Sequence, residues 1–294
     1  MYFGKSRVKR LFLFIFALWI YTTDVLASIP GTYSPISFNS HFYDRSEISF
    51  STLESDEFLL NVTVNDIIQD SFGFLWIATN DGLTKYDGRA SEHFKFTLGD
   101  NSEINSNWIF TLFLDSESRL WVGRDGGISL YIPETNSFQD FYSGVKYPNV
   151  KGEKYLAITE TVDKKLWFAS ASSGITIYDP LTNSFEHIDA DKNDLGLSSN
   201  QISDMVVDDQ GTLYVSTFDT GLNVLLKDKS QFELYNTQSN FSLPTNAIRV
   251  LHYDLKNGLF AGTEFDGVFF FNVYNGELKQ YKNTEKKNSL CANY

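Results

Sequence analysis

The chain repeats itself five times with a period of about 46 residues, and that period constrains its fold more than any other property. QDSFGFLWIATNDGLTKYDG (residues 69–88) is followed by LDSESRLWVGRDGGISLYIP (114–133) and VDKKLWFASASSGITIYDP (162–180). VDDQGTLYVSTFDTGLNVLL (207–226) and a weaker copy, YDLKNGLFAGTEFDGVFFFN (253–272), complete the series. One aromatic recurs at Trp76, Trp121, Trp167, Tyr214 and Phe260, at gaps of 45, 46, 47 and 46 residues. A glycine recurs at Gly82, Gly127, Gly174, Gly221 and Gly267, at gaps of 45, 47, 47 and 46. Two landmarks that keep one period are not a coincidence of composition.

Each copy reads as four strands. An alternating run such as Val64-Asn65-Asp66-Ile67-Ile68 leads through an Asp-containing turn into a short apolar strand: LWIAT, LWVGR, LWFAS, LYVST or LFAGT. Its β-branched and aromatic content, bounded by turn residues, predicts a strand buried on both faces rather than a helix. A loop ending in glycine then precedes a third strand, and a turn such as Pro-x-Thr-Asn-Ser at Pro133 and Pro180 precedes a fourth. Four strands per period of this length is the arithmetic of a propeller blade. A blade cannot bury both faces alone, so neighbours must stack around an axis. The expectation is an all-β propeller with five blades at 61–294, a sixth beginning near Asn288-Ser289-Leu290, and therefore an incomplete ring. Trp76 and its equivalents should wedge between blades. Gly82 and its equivalents should supply a positive φ after the loop.

The first 27 residues carry an export address. Lys5, Arg7, Lys9 and Arg10 precede the apolar run LFLFIFALWI, and Val25-Leu26-Ala27 supplies a cleavage pattern, the layout of a secretory signal peptide. A membrane span would need about 20 apolar residues, and Asp24 interrupts before that. Removing the segment takes away four basic side chains and one acidic one, so a formal charge of −13 becomes −16. Such a charge excludes nucleic acid as a partner, because the basic footprint it requires is missing. Residues 28–60 hold a candidate ring-closing strand at Ile48-Ser49-Phe50. Cys291 is the one cysteine, which rules out an intrachain disulfide and a cysteine-based zinc site. The four histidines are scattered, and no calcium loop of the D-x-D-x-D-G type occurs, so neither a metal nor a cofactor is expected.

QDSFGFLWIATNDGLTKYDG resembles the two-component regulator propeller repeat, whose signature is close to D-x-x-G-x-L-W-I-G-T-x-x-G-L. Further copies fall at Asp115, Asp163 and Asp209, with a degenerate one at Asp254, and the lead-in LSSNQI at 197–202 is also similar to the family's. The resemblance implies the periplasmic input region of a membrane signalling protein whose output is a histidine kinase or a diguanylate cyclase. It also implies closure with about seven blades, membrane attachment through a region downstream of Tyr294, and dimerisation in the full-length context. The chain departs from that pattern in stopping before any membrane helix or output domain.

The candidate site follows from loop variability. Turns between first and second strands and between third and fourth are stereotyped, whereas those between second and third strands differ from copy to copy. In a propeller these variable loops open on the same face as the inter-blade connections, and rigid scaffolds concentrate ligand contacts on such loops. The candidates are Asn80, Asp81, Arg124, Asp125, Ser172, Ser173, Phe218, Asp219, Glu264 and Asp266, for a small-molecule or oligosaccharide ligand. No catalytic residue is assigned. Two rival classes stay open: a secreted propeller enzyme acting on glycans, which needs two carboxylates across the scissile bond, and a protein-interaction scaffold. The 37 acidic residues guarantee carboxylate pairs and so discriminate nothing.

Overall fold

A computed structural model describes residues 59–97, 104–192, 194–255, 258–284, 289, 290, 292 and 293. The expected signal peptide at 1–27 and the candidate strand at Ile48-Ser49-Phe50 lie outside these residues. Among the described residues twenty strands form five four-stranded antiparallel sheets, each taking its strands in chain order. The first holds β1 (Val64–Gln69), β2 (Leu75–Thr79), β3 (Gly82–Tyr86) and β4 (Ser91–Phe94). The second holds β5 (Ile109–Leu114), β6 (Leu120–Arg124), β7 (Gly127–Ile132) and β8 (Ser137–Phe141). The third holds β9 (Tyr155–Glu160), β10 (Leu166–Ser170), β11 (Ile175–Asp179) and β12 (Ser184–Ile188). The fourth holds β13 (Ile202–Val207), β14 (Leu213–Thr217), β15 (Leu222–Leu225) and β16 (Glu233–Tyr235). The fifth holds β17 (Ile248–Asp254), β18 (Gly258–Thr263), β19 (Val268–Asn272) and β20 (Glu277–Tyr281).

The sheets stack through their first strands. β1 lies beside β5, β5 beside β9, β9 beside β13 and β13 beside β17, so the first strands form the inner side of an arc and the fourth its outer side. This is the β-propeller that the period anticipates. Apolar clusters fill the spaces between successive sheets rather than the middle of any one. The recurring aromatic acts as the expected wedge. Trp76 of the first sheet lies 4.7 Å from Tyr131 of the second, and Trp121 of the second lies 5.5 Å from Phe168 and 5.3 Å from Tyr178 of the third.

Two buried aspartates add polar clamps between first strands. Asp66 accepts the Leu112 N–H at 2.8 Å and the Thr111 hydroxyl at 3.1 Å, and Asp204 accepts the Leu251 N–H at 2.9 Å. A carboxylate can be buried here because charge-assisted hydrogen bonds meet it.

The turn after each first strand corrects the motif register. Asp70 and Asp115 each close the turn through their own N–H and accept an indole N–H from the next strand. The residues in that place in the third and fourth sheets are Thr161 and Asp208, not Asp163 and Asp209. The third copy's turn carries its aspartate two residues late, four rather than six residues before the strand aromatic, so Asp163 is off the signature's register in sequence as well as in space. A second correction concerns glycine. Positive φ falls at Gly82, Gly174, Gly221 and Gly267 as expected, but in the second sheet it falls at Gly126 rather than Gly127.

Candidate functional site

The loops between second and third strands are built on one hydroxyl. Thr79, Ser170, Thr217 and Thr263 end their second strands, and each accepts a backbone N–H from the loop that follows. Thr79, Thr217 and Thr263 also donate to the carbonyl of the loop glycine, at 2.9, 2.9 and 2.8 Å. Such side-chain bonds to nearby backbone hold a loop in one shape without fixing the residues at its tip.

These loops are tied to the inter-blade connections. Gly82, Gly126 and Gly174 donate their N–H groups to the carbonyls of Asn107, Glu153 and Asn200, each in the lead-in to the next sheet, at 2.7, 2.6 and 2.9 Å. The Asn107 and Asn200 side chains accept the N–H groups of Phe96 and Ala190, just past the preceding fourth strand, both at 2.7 Å. Both variable loop sets therefore share one face of the arc.

A β-bulge at the same point of every first strand shapes the inner edge of that face. The residue skipped by the pairing is Asn65, Phe110, Leu156, Ser203 or Arg249. Bulges re-aim a side chain without disrupting the ladder on either side. Two of these residues reach the first loop residue of their own sheet. Asn65 donates to Asn80 Oδ1 at 2.7 Å and to the Ile109 carbonyl at 2.7 Å, and Arg249 pairs with Glu264 at 2.7 Å. The Arg249 guanidinium also lies 4.6 Å from the Phe218 ring centre, across the junction of the fourth and fifth sheets. A guanidinium stacked on an aromatic is held flat, its donors pre-set for a planar acceptor.

The sequence-derived candidates divide accordingly. Asn80, Phe218 and Glu264 belong to the inner edge. Asp81 and Asp266 occupy equivalent places farther out, paired with Lys95 at 2.7 Å and Lys282 at 2.9 Å. Asp219 is exposed and accepts from Gln201 at 3.1 Å, while Ser172 is exposed and Ser173 half-buried. Asp125 is exposed, its N–H bonded to the Trp108 carbonyl at 2.9 Å. Arg124 stands where the other sheets have the loop-holding hydroxyl, and it lies beneath the surface, 1% exposed. Its guanidinium donates to Ser129 at 2.7 Å and to the Asp125 carbonyl at 3.0 Å, and faces Asp140 at 3.0 Å. Burial pulls its pKa down while Asp140 opposes the shift. Sequence reasoning missed Asn65 and Arg249, because a bulge leaves no mark in a pattern read by alternation. It also missed Trp108, which is 52% exposed beside Asp125.

The repeat has relatives. The family described as two component regulator propeller matches residues 59–81 and 196–219, which cover the first two strands of the first and fourth sheets with their lead-ins. Two stretches of the chain therefore match the two-component regulator propeller repeat. The chain is similar to histidine kinase P4 of Formosa agariphila, at 26% identity over 227 residues. That match covers 73% of this chain and 15% of the kinase, so the chain spans a small part of its relative's length. Among solved structures it is similar to the extracellular domain of a hybrid two component system from B. thetaiotaomicron. That match has 24% identity and a TM-score of 0.68, covering 78% of this chain and 31% of the other. It is also similar to virginiamycin B lyase from Staphylococcus aureus, at 12% identity and a TM-score of 0.56, covering 76% and 70% of the two chains. At these identities the solved structures establish the β-propeller fold and nothing about the chain's chemistry.

Proposed function

We propose that this chain is the exported, ligand-binding part of a membrane signalling protein of the histidine kinase type, and that it has no catalytic step of its own. The observation that carries this reading is the contrast between its two faces. On one, aspartates and aromatics repeat and are spent on holding turns. On the other, one loop scaffold is kept while the side chains at its inner edge change from sheet to sheet. Constant frame with variable tips is the arrangement of a recognition surface. Similarity to histidine kinase P4 favours a kinase over a cyclase as the output, and similarity to an extracellular two-component domain supports a location outside the cytoplasm.

A panel of soluble oligosaccharides, followed by thermal shift, tests the reading. A stabilising compound should lose its effect when Arg249→Ala and Phe218→Ala are combined, and keep it when Ser116→Ala or Thr182→Ala alters the opposite face. Turnover of any panel glycan, abolished by one carboxylate substitution, would instead make the chain an enzyme.

A further inference from the structure

On the turn face, the first two junctions between sheets are each capped by a cation from the chain itself. Lys85 Nζ lies 5.2 Å from the Trp76 ring centre and 5.4 Å from that of Tyr131, and donates to the Tyr131 hydroxyl at 3.3 Å. The Arg119 guanidinium lies 5.8 Å from the Trp121 ring centre, with Tyr178 packed 5.3 Å from the same indole, and pairs with Asp115 at 2.6 Å. Lys165 holds the place of Arg119 in the third sheet and pairs with Asp179 at 3.7 Å. Ring faces and turn carboxylates are both negative, so a cation is stabilised wherever they meet.

The fourth junction keeps the walls of this arrangement without its cation. Tyr214 stands where Trp76 and Trp121 stand, and Phe271 where Tyr131 and Tyr178 stand. By register, however, Val224 replaces Lys85, and Thr212 replaces Arg119 two positions before the aromatic. A pocket of about 90 Å³ opens there, with Tyr214, Tyr253, Leu255, Phe271 and Tyr274 in its lining. Asp208 Oδ2 accepts the hydroxyls of Tyr214 at 3.1 Å and Tyr274 at 2.8 Å, and Asp209 accepts that of Tyr253 at 2.7 Å. Each of these phenols gives its proton to a carboxylate and keeps lone pairs with which to accept. Burial, and after it the carboxylates, push the Tyr214 and Tyr253 hydroxyls up in pKa, so both stay neutral. Among the described residues, no lysine or arginine pairs with Asp208 or Asp209. Nor, among those residues, do three or more His, Cys, Asp or Glu side chains gather as a metal would require.

We propose that this pocket binds a protonated primary amine, whose ammonium takes the place that Lys85 fills at the first junction and Arg119 at the second. The acceptors choose the class: phenol and carboxylate oxygens call for N–H donors, which a quaternary ammonium lacks. Leu255 and Phe271 offer apolar surface to a short alkyl stem, and the pocket has room for several water-sized groups. This site lies on the turn face, apart from the recognition surface on the loop face.

Thermal unfolding at pH 7 and fixed ionic strength tests this with n-butylammonium chloride as the probe. The melting temperature should rise and saturate with n-butylammonium, and stay flat with tetramethylammonium or n-butanol. Asp209→Asn and Tyr274→Phe should each weaken the apparent affinity about tenfold, the cost of one charge-assisted hydrogen bond. Thr212→Arg, which supplies the cation from the chain, should abolish the response. Glu186→Gln, which removes a negative charge from the third sheet, should leave it unchanged. If Thr212→Arg does not fold, the two milder variants carry the test. An equal response to tetramethylammonium, or full affinity in both Asp209→Asn and Tyr274→Phe, would reveal diffuse attraction to an acidic surface and overturn the proposal. So would the absence of any response in the parent protein, including the case where Lys256→Gln restores it, which would assign the place to a lysine of the chain.

Discussion

Trp121 donates its indole N–H to the Asp115 carboxylate at 2.9 Å, and Trp76 makes the same bond to Asp70 at 2.9 Å. In the third sheet the partner is missing. Thr161 takes the aspartate's place in the turn, its N–H bonded to the Lys165 carbonyl at 3.0 Å, and the buried Trp167 Nε1 has no hydrogen-bond partner among the described residues. Thr161→Asp should supply one and stabilise the protein by about 1 kcal/mol, whereas Asp115→Ala should cost about 3 kcal/mol by orphaning its indole and loosening the turn. Urea denaturation midpoints of the two variants read both effects. An unchanged or lower midpoint for Thr161→Asp would mean that the indole does not seek an acceptor there.

The same turns contain a conformational asymmetry. Gly73 and Gly211 occupy a position with φ of 95° and 85°, and Ser118 and Lys164 occupy its equivalents with φ of 66° and 69°. A side chain in this left-handed region costs about 1 kcal/mol. Lys164→Gly should therefore raise stability by roughly that amount. Gly211→Ala should lower it, since its Cβ would also sit 2.8 Å from Val162 Cγ2 of the neighbouring turn. Thermal unfolding of both variants, expected to shift in opposite directions, checks the pair.

Wedge and loop tip should differ sharply in energetic weight. Trp121 is fully buried against three rings, so Trp121→Ala should destabilise by about 3–5 kcal/mol. Asp125 is exposed and its backbone bond survives truncation, so Asp125→Ala should stay within about 0.5 kcal/mol. Comparable shifts in the denaturation midpoint would contradict the assignment of one residue to the junction and the other to the open face.

Acid should weaken the third sheet through His187. Burial, reinforced by Lys151, holds its imidazole pKa below the ordinary 6.5. Below that value the unfolded chain binds a proton that the folded chain resists, so stability falls as pH drops from 6.5 toward the folded pKa and is fully present above it. His187→Gln should flatten the pH dependence of the denaturation midpoint in that window. A slope identical to the parent's would place the acid sensitivity elsewhere.

The period, the four strands of each copy and the burial of the recurring aromatic were all legible in the order of residues. They rest on alternation and spacing, which backbone geometry imposes locally whatever the neighbours do. So was the face that carries the variable loops, because strand order alone decides which connections emerge together. What only the tertiary structure decided were relations across sheets and across the bulges. Nothing in LWVGR distinguishes Arg124 from a surface arginine until Ser129 and Asp140 close over it. Nothing in the alternation of the first strands shows that Asn65 and Arg249 are the skipped residues, since a bulge is set by pairing with the next strand. Periodicity is a property of the chain; the company a side chain keeps is a property of the fold.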